Sequence, residues 1–146
     1  MPRTRTIPDD RIFAAIQRLL DEGGDRAVSF ATVAAETGLA PPTLVQRYGS
    51  RDGMVRMARL AAWDRLSATT AQAITETETK GPQALLKALG AADPAFLVSD
   101  ARDPDLAQRA AAWQATVESA LALRLGTGQK ARETAALLFA AWQGQL

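Results

Sequence analysis

The chain has 146 residues, of which 47% are hydrophobic, and a net charge of +1, so it can form a real core and is not predicted to be disordered. It contains neither cysteine nor histidine, which excludes disulfides, thiolate chemistry and imidazole catalysis or metal binding. No apolar segment follows a basic start, and the longest apolar run, 135–142, is far shorter than the ~20 residues of a membrane helix. We therefore expect a soluble cytoplasmic protein with no cofactor, metal or membrane partner.

The composition predicts an all-α fold. Alanine is frequent, runs of β-branched residues are scarce, and hydrophobicity does not alternate with the period of two that is typical of strands. Residues 1–8 are predicted to form a flexible arm, and its Arg3 and Arg5 can reach phosphates or a minor groove. The alternative is a solvated terminus without a partner.

The first helix is predicted to begin at Asp9 and Asp10, where negative charge meets the positive end of the helix dipole. It is expected to end at Gly23 and Gly24. Its apolar residues recur at helical spacing and form a buried stripe, which assigns this helix to the core. The stripe consists of Ile12, Phe13, Ile16, Leu19 and Leu20.

Two short helices joined by a tight turn are predicted between Ser29 and Tyr48. Ser29 is a good N-cap, because its hydroxyl can accept a hydrogen bond from the first turn of the helix. Gly38 ends that helix, since glycine readily adopts the left-handed conformation. The two prolines that follow are tolerated in a first helical turn, so a second helix is expected from about Ala40 to Tyr48.

This second helix is predicted to have two different faces. Leu44 and Tyr48 are four residues apart and are expected to point inward. The opposite face suits the edges of bases, because glutamine can pair with adenine, arginine with guanine, and apolar atoms with a thymine methyl. The alternative is an ordinary helical hairpin with a solvated polar face. The outward residues are Pro42, Thr43, Gln46 and Arg47.

A long helix is predicted from Arg51, capped by Ser50, to the region of Thr77. The free N–H groups at its start, together with Arg51, would suit a phosphate; the alternative is a surface arginine with no partner. Trp63 lies on a different side from the early apolar face of this helix. We expect it to contact a later helix.

Three further helices are predicted in the second half of the chain. One runs from Gly81-Pro82 to Gly90, and a short turn follows at Asp93-Pro94. A long helix begins at Asp103-Pro104, an N-cap followed by a proline at the first helical position. The final helix starts near Gln129, and the chain stops within its pattern, so either the natural protein continues or this helix ends in solvent. Its predicted apolar residues are Ala131, Ala135, Leu138, Ala141 and Trp142.

Charge is only mildly asymmetric between the two halves. Residues 1–66 contain ten arginines and eight acidic residues, whereas residues 67–146 contain seven basic and eight acidic residues. This is weak support for a polyanionic partner, so binding to DNA would depend on where individual cations lie. An enzyme is not expected, because no two acidic residues stand out in an apolar setting.

The order of these parts resembles the tetracycline-repressor (TetR) family of bacterial transcription regulators. The resemblance covers roughly residues 6–66 and is carried by the Ser-capped helix, the segment Gly-Leu-Ala-Pro-Pro-Thr-Leu, and Tyr-Gly-Ser-Arg-Asp opening a long helix. It implies a DNA-binding domain at 1–66 and a helical dimerisation and ligand-binding domain at 67–146. The resemblance places bases against Pro42, Thr43, Gln46 and Arg47, and phosphates against Ser29, Thr32 and Arg51.

The sequence departs from the family pattern at four positions. The family usually has a phosphate-contacting tyrosine where this chain has Val45, a serine cap where it has Ala40, and lysine in place of Arg51. The acidic residue that completes a capping box after Ser50 would lie at Gly53. In the second half the resemblance extends only to the general plan, since such proteins are longer and often have one more helix.

The resemblance implies a homodimeric repressor that a small ligand releases from operator DNA. Because few of the candidate ligand contacts are charged, the ligand is expected to be mainly apolar or aromatic. The alternative for these residues is simple core packing, and the alternative function is a helical protein–protein interaction module. The candidates are Trp63, Leu66, Leu86, Leu89, Phe96, Trp113 and Val117.

Overall fold

The computed structural model describes residues 7–90 and 102–144, and within these ranges it contains seven α-helices, one 3₁₀ turn at Asp25–Ala27 and no strand. The all-α prediction is therefore confirmed. None of the described helices is long and apolar enough to cross a membrane. The predicted arm with Arg3 and Arg5 and the turn at Asp93-Pro94 lie outside the described residues. The helices are α1 (Asp9–Gly23), α2 (Phe30–Thr37), α3 (Pro41–Tyr48), α4 (Arg51–Glu76), α5 (Pro82–Gly90), α6 (Pro104–Leu125) and α7 (Gln129–Gln143).

The chain divides into two compact units, Met1–Ala62 and Trp63–Leu146. The division falls within α4, a few residues before the boundary proposed from the sequence. Unit 1 contains α1, α2, α3 and the start of α4. Unit 2 contains the remainder of α4 and the helices α5, α6 and α7.

The core of unit 1 is built from apolar side chains of all four of its helices. Ile12, Ile16 and Leu44 are completely buried, which confirms the inward stripe of α1 and the inward position on α3. Close packing of this kind fixes each helix relative to its neighbours within the unit. The buried cluster comprises Ile12, Phe13, Ile16, Val28, Val33, Ala34, Leu44, Met54, Val55 and Ala58.

Local sequence signals set the ends of the short helices of unit 1. The backbone N–H of Thr32 donates to the Ser29 hydroxyl at 3.0 Å, and the Ser29 N–H donates back to the Thr32 hydroxyl at 2.9 Å. This reciprocal capping box fixes the start of α2. Gly38 ends α2 with φ 75°, a conformation that costs glycine little. Ala40 then precedes the proline at which α3 begins.

Unit 2 is organised around Trp113, which is 4% exposed. Its ring lies 6.0 Å from that of Trp63, 5.6 Å from that of Phe139 and 6.5 Å from that of Trp142. The indole N–H donates at 2.8 Å to the hydroxyl of Thr70, which is also buried. The prediction that Trp63 contacts a later helix is therefore confirmed.

The predicted apolar face of α7 was partly wrong. Phe139 is 1% exposed and joins Ala131 and Ala135 in the core, whereas Ala141 is exposed and Leu138 is only half-buried. The buried residues follow an i, i+4, i+8 stripe, which places Phe139 against Trp113 of α6. The large aromatic ring, rather than the smaller alanine, determines how this helix is rotated.

Candidate nucleic-acid interface

The outer face of α3 is polar and open to solvent. Pro42, Thr43 and Gln46 are exposed, and Val45 between them is 43% exposed. On its inner side the helix packs against the core through Leu44 and through Tyr48, whose ring lies 5.9 Å from that of Phe13. The outward side chains are accessible enough to contact base edges. Contact with DNA itself stays a prediction.

Arg47 is directed toward the start of α1. Its Nη1 donates to the carbonyl oxygen of Ile7 at 2.7 Å and lies 3.7 Å from the Asp9 carboxylate. The side chain is 26% exposed. The guanidinium therefore already has protein partners, and reading a base would require it to exchange them.

Tyr48 shares the carboxylate of Asp9 with Arg47. Its hydroxyl donates to Asp9 Oδ1 at 2.5 Å. Burial and this hydrogen bond both favour the neutral phenol, so the pKa of Tyr48 lies well above its ordinary value. Asp9 thereby connects the first residue of α1 to the last two residues of α3.

Arg51 is bound just as fully within the protein. Its Nε donates to the carbonyl oxygen of Val28 at 2.9 Å, and its terminal nitrogens lie 3.1 Å from the Asp25 carboxylate and 3.0 Å from that of Asp52. Burial alone would lower the pKa of Arg51, but the hydrogen bonds to Asp52 and Asp25 outweigh it and raise that pKa. The residue joins the start of α4 to the segment before α2, and its predicted phosphate contact would have to compete with these partners.

The hydroxyls of Ser29 and Thr32 serve the start of α2. Besides its part in the capping box, the Thr32 hydroxyl donates to the carbonyl oxygen of Ala27 at 2.8 Å. Thr32 is exposed and Ser29 is half-buried. Both side chains therefore stabilise the helix end, and their predicted contacts with phosphate remain untested.

Two arginines that the sequence reasoning passed over are better candidates for phosphate contact. Arg11 and Arg26 are exposed, and neither guanidinium has a hydrogen bond or ion pair to another described residue. Arg26 lies in the 3₁₀ turn just before the Ser29 cap, and this position next to a helix start was the signal available in the sequence. Arg11 lines a groove of about 510 Å³ between α1 and the end of α2, together with Arg18 and Glu36.

Five of the seven predicted ligand residues lie in the core of unit 2. Trp63, Leu66, Leu89, Trp113 and Val117 are buried, Leu86 is half-buried, and Phe96 lies outside the described residues. An open pocket of about 630 Å³ is lined by other residues. Ligand binding by the predicted residues therefore stays a prediction, and core packing is the alternative role. The pocket residues include Ile74, Thr75, Lys80, Leu123 and Arg124.

Comparison with known proteins identifies no relative: no family model, no curated protein and no solved structure matches this chain. An inference about function therefore depends on the side chains described above.

Proposed function

We propose that this protein is a sequence-specific DNA-binding transcription regulator of the kind that the TetR resemblance implies. One observation supports the proposal above others: α3 follows α2 after the Gly38 turn, is anchored by the buried Leu44, and exposes Thr43 and Gln46 on its outer side. Eight residues of α-helix are about 12 Å long, comparable with the width of a major groove.

In this proposal α3 enters the major groove and other cations of unit 1 bind the DNA backbone. Arg11 and Arg26 are exposed, and their guanidinium groups have no partner among the described residues, so they can contact phosphates without breaking an internal bond. The first N–H groups of α2 supply further partial positive charge. Phosphate contacts would set the affinity, and the exposed side chains of α3 would set the sequence preference.

The regulator is proposed to act as a homodimer through α6 and α7. These two helices pack on each other, yet Leu123 is 81% exposed and Leu137 is 72% exposed. Large exposed aliphatic side chains on neighbouring helices favour burial against a second copy. Two copies of α3 would then reach successive major grooves about 34–36 Å apart.

A small ligand in unit 2 is proposed to release the DNA. A ligand that binds one dimer arrangement more tightly than another would shift the population away from the spacing that DNA requires. The pocket of about 630 Å³ has a volume suited to such a molecule. All three tryptophans lie in unit 2, so their fluorescence would report binding there.

The decisive experiment is selection of bound sequences from random duplexes, followed by gel-shift titration at several salt concentrations. We expect one enriched palindrome and an affinity that falls steeply with salt, because bound phosphates release counterions. Substituting both Arg11 and Arg26 with alanine should reduce the slope of that salt dependence. Failure to enrich any sequence would contradict the proposal.

A helical protein–protein interaction module is the second candidate. The internal partners of Arg47 and Arg51, together with the exposed side chain of Val45, favour a surface that binds protein. This candidate predicts no salt-dependent binding to any duplex, so the same titration separates the two functions.

A further inference from the structure

We infer that α3 reads A·T base pairs, with Gln46 contacting adenine and Thr43 contacting a thymine methyl, while Arg47 acts as a positioning residue. The inference rests on the proposed function and specifies the chemistry of the DNA that it would bind.

Recognition of guanine by arginine requires a fork of two N–H groups aimed at O6 and N7. On Arg47, Nη1 is bound to the carbonyl oxygen of Ile7 and faces the carboxylate of Asp9. The fork is therefore turned toward α1, where it fixes the end of α3.

The sequence of α3, PPTLVQRY, contains no acidic side chain that could accept a hydrogen bond from cytosine, and Arg47 is its single basic residue. With the guanidinium bound internally, the exposed face offers neither of the charged groups that most commonly contact a G·C pair, a free basic fork for guanine or an acidic acceptor for cytosine.

Gln46 is exposed and its side-chain amide has no hydrogen bond to another described residue, so both its donor and its acceptor are available. An amide matches the N6 donor and N7 acceptor of adenine. On the same face, Thr43 is exposed, and contact of its methyl group with a thymine methyl would remove apolar surface from water.

The test is selection from random duplexes with the wild-type chain, Gln46→Ala and Arg47→Ala. We expect an A·T-rich half-site for the wild type, and Gln46→Ala should lose preference for one adenine by roughly 5- to 150-fold. Arg47→Ala should weaken binding to all duplexes similarly and leave every base preference unchanged. Gln17→Ala is a matched control on α1, where the amide bonds to Asp21, and should change nothing.

Three results would overturn the inference and each is distinguishable. A guanine in the half-site that Arg47→Ala no longer selects would show that Arg47 reads bases, and the proposed function would stand. An unchanged adenine preference in Gln46→Ala would remove the role of Gln46. If no duplex is enriched at all, the proposed function fails as well. Should Arg47→Ala not fold, Arg47→Lys serves instead: it keeps the charge without the planar fork and is expected to retain the A·T preference.

Discussion

The hydroxyl of Tyr48 donates a hydrogen bond of 2.5 Å to the carboxylate of Asp9, and so joins the last residue of α3 to the first residue of α1. The same carboxylate lies 3.7 Å from Arg47. The orientation of α3 thus depends on the side chain of Asp9. From the sequence alone, Asp9 is expected only to begin a helix.

Tyr48 is the single tyrosine of the chain, so tyrosinate absorbance in the near ultraviolet reports on this residue alone. Because burial and Asp9 raise its pKa, we expect no ionisation near pH 10 in the folded protein, but ordinary ionisation near pH 10 in denaturant. The raised pKa contributes stability that is complete below pH 10 and is lost as the pH rises above it, because the unfolded chain releases the proton first.

Two variants check the origin of this effect. Tyr48→Phe should show a shallower loss of unfolding free energy above pH 10, since that proton is absent from both states. Asp9→Asn removes the carboxylate but leaves the burial, so it should bring the ionisation part of the way back toward pH 10. Ordinary ionisation of Tyr48 in the folded wild type would contradict the hydrogen bond.

Local signals were enough to predict the helices around the candidate interface. The Ser29 cap, the Gly38 turn and Pro41 each act within a few residues, and the structure has helix ends at all three. Such local signals did not predict which way the side chains of Arg47 and Arg51 point. Their partners Ile7 and Val28 are 40 and 23 residues away, and a pattern along the chain does not show which carbonyl a folded arginine will meet.

Gly53 is one of the positions at which the sequence departs from the family pattern, and the backbone around it is closely packed. A Cβ atom at this position would lie 2.8 Å from the carbonyl oxygen of Tyr48 and 3.0 Å from the Ser50 hydroxyl. A side chain at this position would therefore require the turn between α3 and α4 to shift. The cap of α4 includes the Gly53 N–H donating to the Ser50 hydroxyl at 3.0 Å.

We predict that Gly53→Ala destabilises unit 1 by about 1 kcal/mol or more, although alanine in a helix ordinarily stabilises by about 1 kcal/mol relative to glycine. Gly90→Ala at the end of α5 is the matched control, because none of the described residues comes within 4 Å of a Cβ atom at that position, and it should be neutral or mildly stabilising. Denaturant unfolding followed by circular dichroism measures both. A stabilising Gly53→Ala would show that the turn has room for a side chain.

Thr70 supplies the acceptor for the indole of Trp113 inside unit 2. Thr70→Val has nearly the same shape but leaves that N–H without a partner in a buried site, which should cost about 1–3 kcal/mol. Denaturant unfolding followed by tryptophan fluorescence will measure the change. Thr69→Val is the control, since Thr69 is exposed, bonds only within its own helix, and undergoes the same change in helix propensity. Equal effects of the two substitutions would mean that the buried hydrogen bond contributes little.

Leu137 tests the proposed dimer. Its side chain is 72% exposed on α7, and burial of two symmetry-related leucines would contribute several kcal/mol to association. Leu137→Glu should therefore weaken self-association roughly 30-fold or more in sedimentation equilibrium, since it removes apolar contact and places two like charges together. Met57→Glu, at an exposed apolar position of unit 1, should leave association unchanged. If both variants associate like the wild type, the dimer does not form through α7, because a charge at the centre of such an interface would repel its symmetry mate.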